Sequence, residues 1–184
     1  MADSTNEDIQ VTDSTEDFEF WINKSYIPET LKPQLLLANV LLVPREDYRE
    51  GVPLVFPVGT GELFAYLREL GDKSIKPEIC IQEEDYRELA LHFDFVVIPI
   101  AIVRYLLAPL FVRAVYDFIK HQKGNKLQKT KVIFEMTVVK DGGTAAHIRY
   151  EGPVEGLQTL VQSKLNLLGQ GTSEATSAPN GDSK

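Results

Sequence analysis

Hydrophobic and polar positions along this chain fall into stretches of different period, and each period predicts an element. The clearest stretch alternates. From Lys131 to Val139, Val132, Phe134, Met136 and Val138 share one parity; Asp141-Gly142-Gly143 follows; then Thr144 to Tyr150 places Ala146, Ile148 and Tyr150 on one face and His147 and Arg149 on the other. Strand side chains point alternately to opposite faces, and Asp-Gly is a strong hairpin turn, so a β-hairpin is predicted. Gly152-Pro153 then opens a helix, with proline where no amide donor is needed. Val154, Leu157, Leu160, Val161, Leu165 and Leu168 recur at the spacing of one helical face. Residues 131–168 are expected to form a ββα unit.

Upstream the runs are shorter. Leu35 to Val43 is almost purely apolar and ends at Pro44, which predicts a buried strand near 39–43 preceded by helical residues. Leu54 to Phe56 is a second apolar run between prolines. Leu63, Phe64, Leu67 and Leu70 predict a helix over 61–70, capped by Thr60 and closed by Gly71. Ile79 to Ile81 reads as a strand, and Glu83 to His92 as a helix with acidic residues in its first turn. These elements make a β/α unit over about 35–95. Before it, Phe18, Phe20, Trp21, Tyr26 and Ile27 form an aromatic lead-in expected to pack on the core. Arg45 to Glu50 reads as a solvated mixed-charge loop.

Residues 95–112 are the most apolar stretch. Read as a membrane span, Val96 to Val112 has 17 residues, at the short end of the spanning range. Its eleven Val, Ile, Leu and Phe residues contribute roughly −3 to −7 kcal/mol on an insertion scale, and Arg104 costs about +2.5 to +3.5 kcal/mol. Pro99 and Pro109 weaken it further. Acidic residues precede the stretch and five lysines follow it. The positive-inside rule would therefore export the N-terminal region, which shows no signal-peptide pattern. Read as a soluble element, it gives a strand over 92–98 and a helix over 100–121 kinked at Pro109, with Arg113 and Asp117 at ion-pair spacing. The balance favours burial, in the core or against a partner subunit. The expected fold is a single α+β (or small α/β) domain over 18–168, with a central hydrophobic helix at 96–122 between the two units.

Charge adds little about the folded surface. Of the formal −8, residues 1–17 hold six acidic groups and no base, and residues 170–184 hold a net −1, which leaves about −1 for the rest. Residues 1–17 and 169–184 are expected to be disordered polar tails. An acidic arm repels phosphate, so no nucleic-acid partner is expected. A lone cysteine, Cys80, suits a reducing compartment and reads as a small buried hydrophobe. The expected location is cytoplasmic, with inner-membrane association as the alternative.

Signals for chemistry are sparse. His92, His121 and His147 have no His or Cys at ligand spacing, so no metal or other cofactor is expected. Gly59, Thr60 and Gly61 lie before a helix, where backbone amides can hold an anion. The lysine of a P-loop and the third glycine of a dinucleotide fingerprint are absent. Lys120 to Lys131 is the basic patch. It complements a helix C-terminus, or meets anionic headgroups or nucleic acid; it lacks the interleaved aromatics that stack bases.

Four segments carry a resemblance: Leu41-Leu42-Val43-Pro44, Phe56-Pro57-Val58-Gly59-Thr60-Gly61-Glu62-Leu63, Glu84-Asp85-Tyr86-Arg87-Glu88-Leu89-Ala90, and Ile148-Arg149-Tyr150-Glu151-Gly152-Pro153-Val154-Glu155-Gly156-Leu157. In this order, over residues 35–165, the chain resembles a class of small uncharacterised bacterial proteins, some of them from defence or mobile-element loci. The resemblance brings no functional residue with it. The expected function is a non-enzymatic interaction or regulatory subunit, oligomeric through the hydrophobic segment. Its interface residues, or its membrane residues if lipid covers the segment, are Val97, Ile100, Arg104, Leu107, Phe111, Lys123 and Lys126. The alternatives are a membrane-associated effector inserting residues 95–119 and a small-anion or nucleotide sensor at Gly59–Gly61.

Overall fold

The computed structural model describes residues 8–70, 73–91 and 94–170. In chain order the elements are β1 (Asp8–Ser14), α1 (Phe18–Ile22), α2 (Lys32–Leu37), β2 (Val40–Val43), β3 (Arg45–Arg49), β4 (Val52–Pro57), α3 (Thr60–Glu69), β5 (Pro77–Ile79), β6 (Glu88–Leu89), β7 (Phe95–Val97), β8 (Ile100–Arg104), α4 (Ala108–Lys123), β9 (Lys131–Val139), β10 (Ala145–Pro153) and α5 (Val154–Gln170). The main sheet runs β1-β10-β9-β8-β2-β5, with β7 also paired to β9. A smaller sheet runs β3-β4-β6.

The hairpin and its helix form as expected. Met136 faces Ile148 and Phe134 faces Tyr150 across β9 and β10, all four buried, and Val154, Leu157, Val161 and Leu165 of α5 pack in the same core.

The hydrophobic segment is not the helix expected at 96–122. β7 and β8 run parallel to β9, and β8 also pairs antiparallel with β2. Val97 faces Ile133 while Ala101 faces Met136, so the register slips by one residue across Pro99. Proline has no amide to give the ladder, and an extra residue there bends the strand. Pro109 lies in the first turn of α4, so it starts the helix and does not kink it. The reason for the correction is burial on two sides. Ala101 and Val103 face one core, and Ile102 the other. A strand inside a sheet covered on both faces is apolar at every position, and over this length it looks like an all-round apolar helix. Among the described residues, no helix is long and apolar enough to cross a membrane.

The main core lies between one sheet face and helices α3, α4 and α5; the second lies under α1 and α2, over β2 and β8. Of the aromatic lead-in, Phe18, Trp21 and Ile27 fill the second core together with Ile22, and Tyr26 packs against it, whereas Phe20 is exposed. Other expectations change. Residues 8–14, expected in a disordered arm, are an edge strand on β10; Ile9 gives them an apolar foothold on the main core. Arg45–Arg49 is a strand and not a loop, because it pairs with β4. Glu83–Asp85 makes a single 3₁₀ turn and Glu88–Leu89 pairs with β4, where a helix is predicted. Backbone pairing with β4 outweighs the weak local preference for helix there. Gly169 and Gln170, expected to begin the disordered tail, instead end α5. The remaining expectations for residues 1–7 and 171–184, the closing Gly71 and the helix end at His92 lie outside the described residues.

Candidate functional site

The amides of the Gly59–Gly61 loop, the expected anion site, hold a carboxylate of the chain itself. Gly59 caps α3 at φ 91°, a left-handed conformation that suits glycine. β6 runs beside the end of β4, so Glu88 reaches the helix start. Gly59 N–H donates to Glu88 Oε2 (3.0 Å) and Gly61 N–H to Oε1 (2.8 Å). The Tyr86 hydroxyl donates to Oε1 at 2.5 Å, and its ring packs on Phe56 at 5.1 Å. Burial alone would raise the Glu88 carboxyl, but the Tyr86 hydroxyl and the Gly61 and Gly59 amides together outweigh it and hold it below its usual range. Burial and the Glu88 charge push the Tyr86 phenol up. Thr60 does not cap the helix; its hydroxyl donates to Pro57 O (2.7 Å) from inside the first turn. An external anion would have to displace Glu88 to use these amides.

A second constellation lies on the outer face of β9 and β10, and the sequence reading assigned it no role. Alternation puts Glu135 and Thr137 opposite Arg149 and His147, away from the main core. Glu135 is 7% exposed. Its Oε1 accepts from Arg45 Nη2 and Arg149 Nη1, both at 2.7 Å. Arg149 also donates to Glu151 (2.7 Å), and Thr137 Oγ1 lies 3.2 Å from His147 Nδ1. The outermost row, Gln10 and Thr12 of β1, is exposed. A 230 Å³ cleft beside Arg45 and Arg149 has Tyr48, Val97 and Ile133 in its walls. The signal for this cluster was a charged residue, Glu135, set between the apolar run Val132–Phe134 and Met136, but its partner Arg45 comes from 90 positions away.

The remaining predicted residues scatter. Phe111 is fully buried; Val97, Ile100 and Leu107 are half-buried; Arg104 is exposed, its guanidinium 4.8 Å from the centre of the Phe18 ring. Leu106 is the segment's exposed apolar side chain, at 79%. Lys123 and Lys126 border a cleft at the end of α4. The Cys80 thiol is buried under Trp21, and burial, then the Glu46 charge, pushes it up to about 12; it is no nucleophile near neutral pH. The chain matches no family model, and no curated protein or solved structure matches it.

Proposed function

We propose that this chain is a non-enzymatic interaction or regulatory subunit that engages a partner protein across the polar face of β1, β10 and β9. The observation that carries this reading is Glu135, an almost buried carboxylate on an outward-facing strand position, fixed by two guanidiniums. Removing a carboxylate from water is costly unless its partners are well placed. The return is a set of side chains already held in one arrangement, which lowers the entropic cost of binding. Arginine is enriched at protein interfaces, and the apolar wall of Tyr48, Val97 and Ile133 beside it offers contact area. Most apolar side chains of the hydrophobic segment are covered within the chain, Leu106 excepted, so the docking role passes from it to this face.

The test is a photocrosslinking amino acid placed at Gln10 or Thr12, with Thr159 on the exposed side of α5 as the control. One discrete adduct from positions 10 and 12, lost when Arg149→Ala is added, is the expected result. An adduct of twice the chain mass makes the partner a second copy. Equal labelling at all three positions, or no adduct from any, overturns the reading.

A further inference from the structure

We propose that the cleft between the end of α4 and β7 binds a ligand carrying two or more linked phosphates. The cleft has a volume of about 470 Å³. Asp94, Phe95 and Val96 line one side, and Lys123, Lys126 and Lys129 the other. The lysines recur every third residue. α4 ends at Lys123, and the chain continues as a 3₁₀ helix over Gly124–Lys129. A 3₁₀ turn holds three residues, so positions i and i+3 eclipse and Lys126 and Lys129 stand about 6 Å apart on one side of that helix; Lys123 precedes Gly124, whose φ of 50° turns the chain, and joins them as a wall of the same cleft.

Among the described residues, none of the three lysines is in an ion pair, and Asp94 is the one acidic side chain lining the cleft. The helix dipole favours cations in the last turn of α4, which accounts for Lys120 and Lys123. Lys126 and Lys129 lie beyond that turn. Lys131 adds a fourth ammonium, 5.9 Å from the centre of the Phe95 ring.

The chemistry of the row selects the ligand. Ammonium groups bind phosphate as point charges. A single carboxylate meets one of them, whereas linked phosphates carry several charges along a chain and can span the row. The half-buried Phe95 and Val96 give apolar surface for the organic part of such a ligand. Two sources share this chemistry: a free oligophosphate or its nucleoside ester, and a phosphorylated lipid headgroup.

Two arms separate the sources, both at about 0.1 M salt, where long-range attraction is largely screened. The first titrates the protein with tripolyphosphate in a calorimeter. The second sediments it with phosphatidylcholine vesicles, with and without a polyphosphorylated inositol lipid. Each arm compares the wild type with Lys126→Gln/Lys129→Gln and with Lys73→Gln/Lys76→Gln, which removes the same charge from exposed sites elsewhere. The expected result is saturable binding that weakens at least tenfold in the first variant and holds in the second. Binding in the calorimeter assigns a free ligand; binding only to the inositol-lipid vesicles, with the same lysine dependence, assigns a headgroup. No binding in either arm, or equal weakening in both variants, overturns the proposal.

Discussion

Replacing Glu88 with alanine should destabilise the fold by about 1–2 kcal/mol. The side chain accepts three hydrogen bonds, from the Gly59 and Gly61 amides and the Tyr86 hydroxyl. Bonds to a charged group contribute roughly 1.5–3 kcal/mol each when buried. Glu88 is exposed, however, so water competes for every one of these donors and the sum falls well below three such terms. Its charge at the N-terminus of α3 adds about 0.3–1 kcal/mol. The effect reaches the core because α3 carries Leu63 and Leu67. Urea unfolding should show a lower midpoint at unchanged slope; with a slope of roughly 2 kcal/mol/M, the shift is about 0.5–1 M. Glu88→Gln keeps an acceptor and loses the charge, so it should lie between the two. The folded carboxyl is held below its unfolded value, which is near ~4.3. Its contribution is therefore complete above that value and is lost as pH falls through the lower folded one. The gap between wild type and Glu88→Gln should close on acidification. Sulfate should stabilise Glu88→Ala more than the wild type, because the freed amides then face solvent. A Glu88→Ala midpoint equal to wild type at pH 7, or a gap that widens towards low pH, would refute this account.

Three further outcomes follow from burial and pairing. Phe111→Ala should cost about 3–5 kcal/mol in the same assay, since the ring is fully buried and lies 6.2 Å from that of Phe134; a loss under about 1 kcal/mol would remove α4 from the core. Cys80 should resist maleimide in the native state near neutral pH and label at the rate of unfolding, because the thiol is buried and pushed up to about 12; prompt stoichiometric labelling would contradict its position. In hydrogen exchange, the amides of Ala101 to Val103 should be among the slowest and those of β1 markedly faster, as β8 is paired on both sides and β1 on one. The reverse order would show that residues 100–104 are not a central strand.

Local patterns were enough where one element decides its own neighbours. The 131–168 unit was legible because alternation, a turn dipeptide and a helical stripe all lie within forty residues and agree. The helix of 60–69 and the strand of 40–43 were legible for the same reason. The segment at 95–112 was not, since its amino acids state only that water is excluded all round. Whether a bilayer, a partner or two layers of the same chain excludes it depends on β2, β9 and the helices above and below. The Gly59–Gly61 loop shows the same division. Its glycines announced free amides, but that Glu88 fills them rests on a two-residue strand pairing with β4. Glu135 advertised itself as a charge among hydrophobes, and only the register of β9 with β10 and the reach of Arg45 made it a fixed cluster. Period and composition determine which residues must leave water. The tertiary fold decides what replaces the water, because that choice is made by groups far away in the chain.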